Sequence, residues 1–259
     1  MFFASILPAR AYPRERLILF CALLALSAAC WAWLIYQDWA MHHMEWVEMA
    51  MPASSTWNIS DLALIFNMWA IMMAAMMVPS AMPLVLLFAA VNRRRRENSR
   101  PYTATAFFLG GYLAVWTAFS VCATLAQWAL TAAAWMTPMM ENAQHGFGAA
   151  VLVLAGVYQL SPFKQACLKF CRAPFEFLMT QWREGKSGAW VMGLRHGAYC
   201  TACCWLLMAL LFVVGVMNLA WVAAISLFVL LEKILPSSRW LSYGSGLALI
   251  VWGVGLALN

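Results

Sequence analysis

The sequence predicts an all-α protein: a polytopic transmembrane helix bundle of about seven spans. It is expected to form a single integral membrane domain over residues 1–259, with the N-terminus cytoplasmic and the C-terminus extracytoplasmic. Three observations carry that expectation. The chain is 65% hydrophobic and only 10% charged, whereas a soluble domain is roughly half apolar and a quarter charged. Apolar runs recur at close to the ~20 residues that a helix needs to cross a bilayer. When those runs are threaded in and out in turn, all 16 lysines and arginines fall on one face, the face that cytoplasmic loops occupy.

The runs lie at 17–36, 62–91, 102–133, 144–161, 189–215, 219–235 and 240–257. Ahead of the first stand Arg10, Arg14 and Arg16, a basic leader like that of a signal peptide. Its apolar stretch is of full spanning length, however, and closes on Tyr36-Gln37-Asp38-Trp39 without a small-residue cleavage site, so it reads as a retained span. The loop that follows, QDWAMHHMEWVEMAMPASSTWNISD, has no lysine or arginine. It holds His42, His43, four methionines and several carboxylates. Imidazole, carboxylate and thioether are donors for copper. The same loop, with Trp39, Trp46 and Trp57, is also what an interfacial aromatic belt looks like.

The second run contains NMWAIMMAAMMVPSAMP, Asn67 to Pro83. On a helix Met68, Met72 and Met76 stack at successive turns, flanked by Met73 and Met77. Met68 to Met82 covers roughly 21 Å at the helical rise, most of the hydrocarbon thickness. Such a row is either a ladder of soft sulfurs or flexible filler in a tight bundle. Pro79 and Pro83 are expected to kink or unwind the helix. The run ends at Arg93 to Arg96 and Arg100.

The third run exits into WMTPMMENAQHG, again on the acidic, methionine-bearing face, with His145. The fourth leads into a basic loop that carries Cys167 and Cys171 in KQACLKFCR, four apart and so on one side of a helix. The fifth contains Cys200, Cys203 and Cys204 in HGAYCTACCW, which share a face by the same rule. Thiolate suits Cu(I) and, less distinctively, Zn(II); buried cysteine is equally a small core residue. None of the eight cysteines lies in an extracytoplasmic loop, where disulfides would form. The sixth run ends at Glu232-Lys233, expected to form an ion pair or to snorkel at the interface. The amides of Asn67, Gln127, Gln159 and Asn218 are expected to join helices. The seventh run completes the bundle.

Four blocks together resemble a known family: MWAIMMAAMMVPSAMP, LAGVYQLSPFKQACLKFCRAP, LRHGAYCTACCWLLM and GVMNLAWVAAISLFVLLEK. In content and order they are similar to an uncharacterised bacterial family described as predicted metal-binding integral membrane proteins. The resemblance covers about 67 to 233 and implies a multi-pass protein of the bacterial inner membrane. It places Met72, Met73, Met76, Met77, Pro79, Tyr158, Gln159, Lys164, Cys167, Cys171, Arg172, Cys200, Cys203, Cys204, Glu232 and Lys233 in the family's recurring motifs. His42 and His43 lie outside the four blocks.

Donor type changes across the bilayer in this reading: His42, His43 and acidic loops outside, thioether within, thiolate at the cytoplasmic end. That gradient predicts a copper(I)-handling membrane protein. The expected metal residues are Met72, Met73, Met76, Met77, Cys200, Cys203, Cys204, Cys167, Cys171, His42 and His43. Met76 or Met77 should then lie beside the Cys200–Cys204 sulfurs, with the second and fifth spans as neighbours. The expected partners are the lipid bilayer, the metal ion, and a metallochaperone or a larger membrane complex. The alternative reading is a non-catalytic assembly subunit of a respiratory or photosynthetic complex, its sulfurs serving packing. A membrane thiol oxidoreductase using Cys200 and Cys203 is a third class. No nucleotide-binding loop or catalytic triad is legible, and no basic stretch with interleaved aromatics points to nucleic acid.

Overall fold

The computed structural model describes residues 13–43, 57–95, 101–135, 145–235 and 238–258, and every regular element among them is a helix. In chain order they are α1 (Pro13–His43), α2 (Ile59–Arg95), α3 (Pro101–Ala132), α4 (His145–Leu160), α5 (Pro162–Arg172), α6 (Pro174–Gln181), α7 (Gly185–Ala209), α8 (Leu211–Val214), α9 (Leu219–Ile234) and α10 (Ser238–Leu258). Five of them, α1, α2, α3, α10 and the α7–α8 stretch, are long and apolar enough to cross a membrane; α4 and α5 together make a sixth candidate, bent by 65°. The two remaining expected spans, α4 and α9, are helices of only 16 residues each.

The bend between α4 and α5 has a local cause. Ser161 is extended, at φ −71° and ψ 144°, and its hydroxyl accepts from the Lys164 N–H. Pro162 follows at the first helical position, where its missing N–H costs nothing. The basic loop expected over this region is thus largely helical.

The long helix α2 is the centre of the bundle; Trp69, Met72, Met73, Met76, Met77 and Val78 are all at most 1% exposed. It runs without interruption through Pro79 and Pro83, so it does not unwind there. Pro79 cannot donate to the carbonyl four residues back, which is that of Ala75. Ser27 of α1 donates its hydroxyl to this carbonyl at 3.3 Å. Tyr112 of α3 and Ser80 donate to the Met77 carbonyl at 3.1 and 2.9 Å, and Ser226 of α9 to that of Met76 at 3.4 Å. Hydroxyls from three neighbouring helices thus satisfy backbone acceptors around the proline, which is how membrane helices tolerate it.

Pairwise contacts fix the helix directions. Ser27 meets Ala75 and Glu15 pairs with Arg93, so α1 and α2 are antiparallel. Trp69 donates to Gln127 at 2.6 Å while Tyr112 reaches Met77, so α2 and α3 are antiparallel. Ser226 meets Met76 and Lys233 meets Ser80, so α9 runs parallel to α2. The expected role of Gln127 as an inter-helix amide is met here.

Two helix pairs approach closely through glycine. A Cβ on Gly193 of α7 would stand 2.0 Å from the Phe108 carbonyl oxygen of α3, and one on Gly111 would stand 2.3 Å from the Trp190 carbonyl oxygen. The register, Phe108 by Gly193 and Tyr112 by Gly197, makes α3 and α7 parallel. Gly156 of α4 meets Gly246 of α10, and Gly253 meets Ala149, an antiparallel pair. Small residues let membrane helices approach closely where lipid supplies no hydrophobic drive between them. Gly193→Ala should force α3 and α7 apart and lower stability by about 1–3 kcal/mol. Thermal unfolding in detergent would read this, with Gly244→Ala unchanged because nothing lies within 4 Å of its Cβ.

The basic termini gather at one end. Arg93 pairs with Glu15, Arg95 reaches Glu184 at 3.8 Å and sits 4.8 Å over Trp182, and Lys186 lies 5.9 Å over Phe107. These contacts bring together the starts of α1, α3 and α7 and the end of α2.

A candidate thiol and lysine centre

Cys200, Cys203 and Cys204 lie on the buried side of α7, each at most 1% exposed. Their i, i+3, i+4 spacing places them together, as the sequence predicts. The Cys203 and Cys204 thiols both turn back to the Cys200 carbonyl, at 3.1 Å each. The side chain of Cys171 of α5 interacts with those of Cys200 and Cys203. Cys167, one turn earlier, is buried and within electrostatic reach of Cys203. The two cysteine clusters of the sequence are therefore one. α5 brings them together because its amphipathic face, with Lys164, Cys167 and Leu168 buried, is laid against α7 by the bend at Ser161.

Two polar side chains close the centre. The Lys233 ammonium lies 3.0 Å from the Cys200 Sγ and 2.9 Å from the Ser80 hydroxyl. The Tyr112 hydroxyl lies 3.2 Å from the same sulfur. Since Tyr112 also donates to the Met77 carbonyl, the methionine helix and the cysteine helix are joined through one phenol. They do not pack side by side along their lengths. α3 lies between them, packed on both, so the expected direct contact of the second and fifth spans is replaced by a bridge at this depth.

Met72, Met73, Met76 and Met77 are all buried, none facing outward. Of the outer donors, His43 is exposed, stacked on Trp39 with ring centroids 4.9 Å apart, its Nδ1 2.9 Å from the Trp39 carbonyl. The His42 and His145 side chains and the loops 44–56 and 136–144 lie outside the described residues. Among the described residues no set of three or more His, Cys, Asp or Glu side chains is arranged to hold a metal ion as it stands.

The expected pairing of Glu232 with Lys233 is not what forms. Adjacent helical residues do not face each other. Glu232 instead takes the Lys164 ammonium with both oxygens, at 2.8 and 2.7 Å, where the two side chains are 2% and 0% exposed. Gln159 accepts from the same ammonium, Ser242 donates to Glu232 at 2.6 Å, and Arg172 donates Nε–H to the Glu232 carbonyl at 2.9 Å. With its neighbour so engaged, Lys233 is directed to the thiols. Gln159 also donates to Ser245 at 3.1 Å, so this amide joins α4 to α10.

Sequence reasoning passed over Tyr112, Ser80 and His196. His196, one turn before Cys200, is buried against Phe108, Tyr112 and Phe177. Tyr112 sits singly within an apolar run, and Ser80 is the one hydroxyl of the methionine stretch Asn67 to Pro83. The i to i+4 step from His196 to Cys200 was the signal available for the histidine.

No curated protein and no solved structure matches the chain. A family model, PpoB2, described as a copper chaperone, matches residues 66–256. That range contains the thiol centre, the methionine helix from Phe66 onward, and both buried lysines. The chain belongs to the PpoB2 copper chaperone family.

Proposed function

We propose that this protein binds copper(I) within the membrane at the thiol centre and passes it on. The observation that carries the reading is the Lys233 ammonium at 3.0 Å from Cys200, beside three further thiols. A buried charge must be balanced. Cu(I) held by two thiolates leaves one negative charge, which Lys233 neutralises. Zn(II) with its usual four-ligand shell, drawn here from four thiolates, would leave a net negative charge beside the same lysine. Two sulfurs suffice for Cu(I), so a rotation of Cys203 or Cys204 away from the Cys200 carbonyl completes a site. Copper is the cargo in this reading, and zinc the less suited ion.

The methionines above the centre are neutral donors that add no charge to a desolvated path, and weak sites in series let an ion leave as well as enter. Cys167 and Cys171, on the helix at the basic end, are placed to pass the ion to a metallochaperone or a larger membrane complex. In this reading the chain crosses seven times, in keeping with the relative helix directions, and the N-terminus is placed inside by the basic residues. α1, α3, α7 and α10 then run outward, and α2, α4 and α9 run inward. α4 and α9, of 16 residues each, are the short crossings in this reading. The basic end is then cytoplasmic, in the bacterial inner membrane.

The test is anaerobic Cu(I) titration of the purified protein against a chelator. Wild type should hold about one ion, and the Cys200→Ser, Cys203→Ser, Cys204→Ser triple variant essentially none. The Met72, Met73, Met76 and Met77 to Leu variant should bind copper at the thiols yet lose copper movement across proteoliposomes. Full copper retention by the cysteine variant would overturn the reading. Transport surviving the methionine variant would remove the ladder.

A further inference from the structure

The basic end of the bundle holds a cavity of about 340 Å³, within the roughly 300–1,000 Å³ of small-ligand sites. Its walls are Gln165, Ala166, Lys169 and Arg172 of α5, Ala173 after it, and Arg239 of α10. Among the described residues that line it are three cations and no carboxylate. Arg172 is within electrostatic reach of the Glu232 carboxylate and, with a weaker effect, of Arg239. Lys169 has Glu176 at 3.2 Å, but both side chains are more than half exposed, where an ion pair is worth little. Two buried nitrogens of the wall, Nη2 of Arg172 and Nε2 of Gln165, have no hydrogen-bond partner among the described residues. Both are donors, and native structures seldom leave buried donors orphaned. Among the described residues nothing accepts from these two donors.

We propose that this cavity binds the phosphate of an anionic phospholipid headgroup. A guanidinium presents paired N–H donors that match phosphate oxygens, and basic pockets between helices at the cytoplasmic side take acidic headgroups. The depth fits. α5 turns 65° away from α4, as a helix lying in the interface does. Phe163 and Trp240, close in sequence to the lining residues Gln165 and Arg239, are 61% and 83% exposed, apolar surface suited to the chains of the same lipid and to an aromatic belt. The phosphate would join α5 to α10, steadying the helix that carries Cys171. This site stands independently of the copper reading.

Native mass spectrometry of the full-length protein, given equal phosphatidylglycerol and phosphatidylcholine, tests it. Wild type should retain phosphatidylglycerol over phosphatidylcholine by about tenfold. Arg239→Gln, an exposed position that leaves the fold intact, should bring the ratio to within about twofold, and Arg172→Gln with Arg239→Gln should abolish the preference. Copper stoichiometry should be unchanged in Arg239→Gln, which separates this site from the thiol centre. If wild type shows no lipid preference but millimolar inorganic phosphate raises its Tm and not that of Arg239→Gln, the phosphate site stands and its source is soluble. No lipid preference together with no phosphate effect, or a preference that survives both variants, overturns the proposal.

Discussion

Glu232→Ala is expected to destabilise the bundle by about 3–5 kcal/mol, read as a large fall in Tm in detergent. The change leaves the Lys164 ammonium fully buried with only the Gln159 carbonyl for company. It also removes the acceptor of the Ser242 hydroxyl and one anchor between α9 and α10. Lys164→Met should cost a comparable amount, because the Glu232 carboxylate is then stranded at 2% exposure. The double variant, Lys164→Met with Glu232→Leu, should recover most of the loss, since a buried pair and an apolar replacement of similar size are often close in stability. If the two single losses simply add in the double, the pair is not the unit described here.

Lys233→Met should leave the fold in place and weaken Cu(I) binding by roughly 10- to 100-fold, the ~1.5–3 kcal/mol of a hydrogen bond to a charged group. Stoichiometry should hold at saturating copper, because every sulfur remains. Competition with a chelator at graded strength separates this loss of affinity from the loss of sites in the cysteine variant. An unchanged affinity would mean that Lys233 serves only Ser80, 2.9 Å away, and that charge balance comes from elsewhere.

The all-helical class and the placement of seven helices were legible because apolar run length and turn residues act locally. Each of the seven runs has its helix: α1, α2, α3, α4, the α7–α8 stretch, α9 and α10. The i, i+3, i+4 grouping of Cys200, Cys203 and Cys204 was likewise readable from helix geometry alone. Three features were not readable. The burial of α5 was hidden because Lys164, counted as polar, is a buried residue whose charge is met by Glu232, 68 positions away. The continuity of α2 through Pro79 depends on Ser27, 48 positions before the carbonyl it caps. The intervention of α3 between the methionine and cysteine helices rests on Gly111 and Gly193, and no single run reveals which glycine meets which backbone.

The pairing of α4 with α10 bears on how the protein is made. Gln159 and Ser245 are 86 positions apart, so at synthesis rates of about 5–20 residues per second α4 leaves the ribosome several seconds before its partner exists. During that interval its glycine face has nothing to close on. Lys164 waits for Glu232, and Glu232 in turn for Ser242. Biogenesis is thereby ordered: the α1–α2–α3 portion can settle first, while α4 and α5 are held back until the last helix arrives. A ribosome that stalls before Ser238 leaves a nascent chain with α4 unpaired and the Gln159 amide without its Ser245 partner.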